Sequence, residues 1–239
     1  MLTSNSSISL FPLNVVLFPG MMLPLHIFEN RYQAMIKQCI DSADQTFGVV
    51  LAKSKDAQAP HVMNLGRDDL YEVGTTARIT AVEHLKEGRM NIITVGQERF
   101  TLKDITASED DFLIGQIEPY PMKENEDPGV IDLLLQKLKP QVEQYINHLA
   151  SASGEDLSNA VLPNDPAALA FLAGTAMQGP LPDKQLILSA SSLISLMAKA
   201  VTVMDKENKI LAYMLKAYQA HQQVQKLPFV DYSLNWFDK

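Results

Sequence analysis

The sequence predicts an α+β fold in which a β-barrel domain with one inserted helix is followed by an α-helical bundle domain. Up to about residue 120, turn residues interrupt short apolar runs at roughly ten-residue spacing, which is typical of a barrel or folded sheet. Beyond residue 122, apolar residues recur at the three- and four-residue spacing of helices. Between these regions lies a charged stretch that contains Pro128 and Gly129, which indicates a domain boundary.

This change of pattern divides the chain into three parts, which are a β domain (residues 1–121), a helical domain (residues 122–227) and a C-terminal tail (residues 228–239). The net charge of −8 argues against nucleic-acid binding, because neutralising phosphates requires Lys and Arg. The single cysteine, Cys39, excludes an intrachain disulfide and suits a reducing compartment. No signal peptide or membrane-spanning run is present in the sequence, so we expect a cytoplasmic protein.

The first apolar run, residues 9–29, contains three prolines and a glycine, which interrupt any hydrogen-bonded ladder. We predict short strands at residues 10–13 and 15–18, a turn at Pro19-Gly20, and an extended segment that ends at Phe28. A helix over residues 29–43 follows, because its apolar residues share one helical face. This is the inserted helix, and we expect it to cover one end of the barrel.

The rest of the β domain is predicted from apolar runs bounded by polar turns, as strands at residues 47–52, 76–84, 90–96, 97–105 and 112–118. Gly88 lies where the hairpin between the second and third of these strands needs a positive φ. The segment from Gly96 to Arg99 is predicted to form a tight turn between the third and fourth.

The helical domain begins with a predicted helix over residues 131–149, in which Pro140 either introduces a kink or starts a second helix. A short buried helix is predicted over residues 167–177, and two more helices follow it. The residues predicted to cap these three helices are Asp165, Asp183, and either Ser191 or Ser192.

Two segments resemble signatures of the Lon N-terminal (substrate-binding) domain family. They are FPLNVVLFPGMMLPLHIFENRYQAMI and YEVGTTARITAVEHLKEGRMNIITVGQERFTL. A third, GPLPDKQLILSASSLISLMAKAV, is similar to the helical segment that follows the β domain in that family. The resemblance covers about residues 9–211. It implies a PUA-like β-barrel, a substrate-binding role, and a structural role for Arg99.

No constellation of catalytic residues is predicted. Lon proteases carry an ATPase and a Ser–Lys peptidase module after this domain, but the sequence has no Gly-x-x-x-x-Gly-Lys-Ser/Thr loop and no length for either module. We therefore expect a stand-alone, non-enzymatic member of the family without metal or cofactor. Cys39 is expected to be a buried structural thiol, and His26 a packed or half-exposed residue rather than a base.

The first candidate binding surface follows the Pro19-Gly20 turn. Met21 and Met22 are adaptable apolar side chains that suit promiscuous recognition, and Phe28 and Tyr32 would extend the same surface. The alternative is that these four side chains seal the barrel against its helix.

Two other surfaces are candidates. The methionine-rich stripe of the last helix (Met197, Met204 and Met214) is either a partner groove or, more commonly, a bundle core. The aromatic side chains of the tail either fold back on the body or dock on a neighbouring subunit, and they are Phe229, Trp236 and Phe237.

Together these features predict a protein- or peptide-binding module that recognises unfolded or damaged polypeptide, or a protein partner, through apolar surface. A protease or chaperone acting in trans is an expected partner, and homo-oligomerisation is left open. One alternative is an RNA-binding PUA-like module, for which the residues to test are Arg67, Arg78, Lys86 and Arg89. Another is a small-molecule-responsive regulatory adaptor, by resemblance to the Lon-like domain of cereblon, a ubiquitin-ligase substrate receptor.

Overall fold

The computed structural model describes residues 6–53, 65–123, 126–153 and 161–225, which form a mixed α+β fold with one six-stranded sheet and five α-helices. The strands are β1 (Ser6–Leu13), β2 (Met22–Ile27), β3 (Thr46–Leu51), β4 (Val73–His84), β5 (Met90–Ala107) and β6 (Leu113–Pro119). The helices are α1 (Asn30–Asp41), α2 (Pro128–Ser153), α3 (Pro166–Ala176), α4 (Leu181–Leu188) and α5 (Leu193–Gln225).

The strand order is β2-β5-β4-β3-β1-β6, and β5 also pairs with β6. Only β1 and β3 run parallel among these pairs; the others are antiparallel. Strand β1 pairs with β3, β3 with β4, β4 with β5, β5 with β6, and β6 with β1. These five strands therefore form a ring of pairings. Strand β2 lies outside this ring and pairs with the first part of β5.

The predicted tight turn at Gly96–Arg99 is wrong, because β5 continues through it as one strand of 18 residues. Gly96 is needed there for a close backbone approach: a Cβ at this position would overlap the carbonyl of Phe18. Gly96 is therefore required for a close contact with the segment around Phe18, and the chain does not turn at this position.

The predicted strand over residues 15–18 is also wrong, since β1 ends at Leu13 and no strand forms before β2. The turn at Pro19-Gly20 is confirmed: Gly20 has a φ of +80°, and the amide of Met21 donates to the carbonyl of Phe18 at 3.0 Å. The segment before it is held by burial, because Val16, Leu17 and Phe18 are buried.

Two hydrophobic clusters stabilise the fold. The first fills the space between the strands and α1, and it includes Phe47, Phe100 and Met35. The second joins the sheet to the helices, since Phe18 and Val73 pack with residues of α2 to α5. The ring centroids of Phe18 and Phe171 lie 6.1 Å apart in this second cluster.

Arg99 connects β5 to the end of α4. Its Nη1 donates to the carbonyls of Leu188 at 2.8 Å and Ala190 at 2.6 Å. The guanidinium also lies 4.9 Å from the ring centroid of Tyr120 and 5.8 Å from that of Phe171. Burial lowers the pKa of Arg99, so the charge is held by carbonyl oxygens and aromatic faces.

The helical part differs from its prediction at one cap. Asp165 caps α3 as predicted, accepting from the amide of Ala168 at 2.7 Å. Asp183 does not cap α4, because that helix begins at Leu181, and it pairs instead with Lys206 at 2.7 Å. Helix α2 runs through Pro140 without a break.

The start of α5 has two capping groups. The Ser192 hydroxyl accepts from the amide of Ser195 at 3.2 Å, and the Glu126 carboxylate accepts from the amide of Ile194 at 3.1 Å. A negative charge is favourable here because helix N-terminal amides point towards it. The prediction that residue 122 begins a separate domain stays a prediction.

Gly174→Ala should destabilise the protein by about 1 to 3 kcal/mol, although alanine has the higher helix propensity. A Cβ on Gly174 would overlap the ring of Phe18, which is fully buried and has no room to move. Chemical denaturation measures the change. The control is Gly129→Ala in the exposed first turn of α2, where the nearest atom is a flexible carboxylate oxygen at 3.3 Å. Equal stability of the two variants would contradict this packing.

The contribution of Glu126 to stability should be lost at acidic pH. Burial by itself raises the pKa of Glu126, but hydrogen bonds from Ser192 and from the amides of Ile194 and Leu193 outweigh it and hold the pKa below its usual range. The stabilisation is therefore fully present at a pH above the pKa of glutamate in the unfolded chain, about 4.3. It is lost as the pH falls through the lower pKa of Glu126 in the folded protein.

The measurement compares the unfolding midpoints of the wild type and Glu126→Gln, which keeps an acceptor but loses the charge. We expect the wild type to be more stable at neutral pH and the difference to vanish near pH 2. A difference that is independent of pH would show that the charge contributes nothing.

Candidate functional site

The four residues of the first predicted surface separate in the structure. Met22 and Phe28 are 63% and 61% exposed, at the start of β2 and just after its end. Met21 is half-buried and packs against both hydrophobic clusters. Tyr32 is only 6% exposed, and its ring stacks on Phe11 with 4.0 Å between centroids. Only Met22 and Phe28 are therefore well exposed at the surface.

Strand β2 presents alternate side chains to the outside. Leu23 and Ile27 are buried in the first cluster, while Met22, Pro24 and His26, at alternate positions, are exposed. Phe28 continues this alternation, and its ring centroid lies 6.0 Å from that of His26. The exposed row spans roughly 20 Å from its first residue to its last.

The neighbouring strand widens this row into a surface. Val95 pairs with Met22, and Ile93 pairs with Pro24. Directly opposite residues of an antiparallel pair lie on the same face, so both contribute to the exposed side. Ile93 is 39% exposed and Val95 is half-buried. We call this surface the β2 face, which consists of Met22, Pro24, His26, Phe28, Ile93 and Val95.

Charged side chains of β4 lie at the two ends of the β2 face. Arg78 pairs with Val95 near Met22, and Glu83 pairs with Asn91 near His26. The Asn91 amide group donates to the Glu83 carboxylate at 2.7 Å, and its oxygen lies 2.7 Å from His26 Nδ1. The face therefore has an apolar centre, a positive end and a negative end.

The outer edge of β2 pairs with no other strand among the described residues. The amide of Gly96 donates to the carbonyl of Met21, so Met21 and Gly96 form a hydrogen-bonded pair. Hydrogen-bonded and non-hydrogen-bonded pairs alternate along an antiparallel ladder, so Met22, Pro24 and His26 belong to non-hydrogen-bonded pairs with β5. The backbone groups of Met22 and His26 consequently point to the outer edge, together with the carbonyl of Pro24. Pro24 lacks an amide hydrogen, so the edge has one donor fewer at its centre.

Pro24 and His26 were missed in the sequence prediction, although the alternation Met22-Leu23-Pro24-Leu25-His26-Ile27-Phe28 was visible there. Ile93 could not be assigned from the sequence, because its neighbour Ile92 is equally apolar and is buried. Which of two adjacent isoleucines faces outwards depends on the register with β2 and β4.

The second and third predicted surfaces have different outcomes. Met197 and Met204 are fully buried in the second cluster, whereas Met214 is 59% exposed on the last part of α5. The tail residues lie outside the described part of the chain, and they are Phe229, Trp236 and Phe237.

Two buried side chains of the β domain, Cys39 and Tyr32, have raised pKa values. Burial raises the pKa of the Cys39 thiol to about 11, so it is protonated at neutral pH. Burial likewise raises the pKa of Tyr32 to about 12. Among the residues described, no group of three His, Cys, Asp or Glu side chains is placed to hold a metal ion. None of the described helices is long and apolar enough to cross a bilayer.

These features define a mixed α+β protein whose sheet carries an exposed apolar face beside a strand edge with which none of the described strands pairs. The chain belongs to the family of ATP-dependent protease La (LON) substrate-binding domains, whose family model matches residues 7–206. The resemblance of its sequence motifs to that family is thereby confirmed.

Relatives and solved structures agree with this assignment. The chain is 27% identical over 201 residues to Lon protease 2 of Myxococcus xanthus, covering 83% of this chain and 23% of that protein. It is 32% identical over 108 residues to a Lon protease of Porphyromonas gingivalis, covering 45% and 12%. The chain thus spans about a quarter or less of the length of the curated relatives it matches.

Two solved structures share the fold. A Lon N-terminal domain protein from Xanthomonas campestris matches with a TM-score of 0.55 at 20% identity, covering 82% of this chain and 98% of that one. The N-terminal domain of a Mycobacterium avium complex Lon protease matches with a TM-score of 0.58 at 16% identity, covering 85% and 98%.

Pro24→Thr should increase aggregation, because it restores an amide donor to the middle of the outer β2 edge. Light scattering at elevated temperature should rise faster than for the wild type, at an unchanged melting temperature. Pro24→Lys is the matched control, since it restores the same amide but adds a charge that opposes edge-to-edge pairing. Identical aggregation of Pro24→Thr and the wild type would show that this edge is not accessible.

Proposed function

We propose that this chain is a non-catalytic substrate-binding module that binds unfolded polypeptide, or an extended segment of a protein partner, on the β2 face. The observation that carries the proposal is an apolar exposed face beside a β2 edge that is unpaired in the described part of the chain, on the fold of a substrate-binding domain family. Such a surface recognises exposed apolar side chains without reading a fixed sequence.

The main attraction would be burial of apolar surface. Covering about 400 Å² of the β2 face and its client contributes about 10 kcal/mol at 25 cal/mol per Å². Lost translational freedom and the ordering of the client offset much of this. We therefore expect dissociation constants of about 10 μM or weaker for a single segment, which suits a module that samples many clients.

The strand edge would add main-chain hydrogen bonds. An extended client segment beside β2 would meet the outward backbone groups of Met22 and His26, as in strand addition to other sheet edges. Arg78 and Glu83, at opposite ends of the face, would favour one direction of the client chain when it carries complementary charges.

The finer architecture belongs to the same proposal. The ring of strand pairings supports a closed PUA-like barrel, with β2 attached beside it. Helices α2 to α5 would form a bundle domain from residue 122 onwards. A protease or chaperone would receive the bound client, in the cytoplasm and either on the same chain or in trans. The RNA-binding and small-molecule alternatives stay predictions, and Arg67 already donates internally to the carbonyls of Leu70 and Leu102.

The double variant Met22→Ser/Phe28→Ser should bind a permanently unfolded protein at least tenfold more weakly. Each substitution removes an exposed apolar side chain worth roughly 1 kcal/mol when covered. The probe is a reduced, carboxymethylated protein that cannot refold, and fluorescence anisotropy gives the dissociation constant.

The control is Tyr213→Ser/Met214→Ser on α5, where the side chains are 76% and 59% exposed. We expect it to bind as the wild type does. Loss of binding in this control alone would move the client site to α5. No binding of the wild type at high micromolar concentration would overturn the proposal.

A further inference from the structure

A groove separate from the β2 face lies where the sheet meets the helical part. It is a groove of about 360 Å³ whose apolar lining comes from Pro19, Pro119, Tyr120, Pro121 and Met122. Prolines hold their backbone rigid, so three of them make walls that lose little entropy when a ligand binds. The volume suits a small ligand or the last one or two residues of a peptide.

The groove also contains a buried positive charge. Arg99 lines it and is only 6% exposed, yet none of the ion pairs among the described residues includes it. Its two protein acceptors, the carbonyls of Leu188 and Ala190, both bind Nη1. A buried charge without an anionic partner is costly, and an entering anion would compensate it.

The other side of the Arg99 guanidinium is available. Nε and Nη2 have no hydrogen-bond acceptor among the described residues, and neither is among the fully enclosed unpaired atoms. This pair of donors forms a planar fork that matches the two oxygens of a carboxylate. The ring of Tyr120 and the two carbonyls hold the fork in place, so it is preorganised.

We propose that this groove binds the free C-terminal carboxylate of a polypeptide whose last residue is apolar. The carboxylate accepts from Nε and Nη2 of Arg99, and the terminal side chain lies against the proline walls and Met122. A terminal residue fits because it carries a carboxylate and an apolar side chain on the same carbon atom. Glu98 also lines the groove, and a negative charge on its wall would weaken the attraction for the carboxylate.

The direct test compares two peptides of one sequence ending in Leu-Phe, one with a free carboxylate and one with a C-terminal amide. Calorimetry should show the acid binding at least tenfold more tightly. Equal affinity, or no binding of either peptide at about 1 mM, would overturn the proposal. A small apolar carboxylic acid could bind by the same contacts as a polypeptide C-terminus, and N-acetylphenylalanine tests this alternative. An affinity equal to that of the peptide would show that the ligand is a small carboxylic acid and not a polypeptide.

Two charge variants at other positions test the site while Arg99 keeps its contacts to Leu188 and Ala190. Glu98→Gln should tighten binding of the acid about threefold and leave the amide unchanged, while Glu143→Gln on exposed α2 should change neither. An unchanged Glu98→Gln variant would contradict binding in this groove. Arg99→Lys keeps the charge but loses the fork, and it should abolish the preference for the acid.

This inference is independent of the β2 face. The double variant Met22→Ser/Phe28→Ser should keep the full preference for the acid, and loss of that preference would place the carboxylate on the β2 face instead. Failure of one proposal is therefore distinguishable from failure of the other.

Discussion

Arg99 carries a positive charge into the junction between the sheet and the helices, where it meets two carbonyls at the end of α4 and the rings of Tyr120 and Phe171. These partners come from three parts of the chain, around residues 120, 171 and 188–190. Leaving the charge or the carbonyls unpaired would cost several kcal/mol. The sheet and the helical segment around α4 are therefore coupled: each satisfies polar groups of the other only when both are folded.

Close packing near the same junction constrains which residue can occupy position 96 of β5. Gly96 lets the strand pass directly beside the carbonyl of Phe18, and Phe18 in turn packs against Gly174 on α3. Gln185 of α4 adds a hydrogen bond of 2.9 Å to the carbonyl of Val73 on β4. Among the described residues, the helices cover one region of the sheet and leave the outer side of β2 and of the start of β5 exposed. The β2 face is thus presented by a strand whose partner is held firmly from the other side.

Several features of the candidate site could be predicted from the sequence, and others could not. For Met22 and Phe28 the sequence leaves open a binding surface or a seal between barrel and helix, and both side chains are exposed in the structure. The sequence groups Tyr32 with them, but its ring stacks on Phe11, more than twenty positions earlier in the chain. Ile93 was not singled out, because exposure of one of two adjacent isoleucines depends on strand register.

Local chemistry determined the kinds of element along the chain. Apolar spacing indicated α1, the long helices and most strands, and Asp165 and Pro19-Gly20 marked a cap and a turn, since these depend on residues within one or two turns of the backbone. Only the tertiary structure decided that β5 is one strand, that β2 lies at the edge, and that Arg99 binds the end of α4. Each depends on which distant segments share a contact, and such contacts leave no periodicity in the sequence.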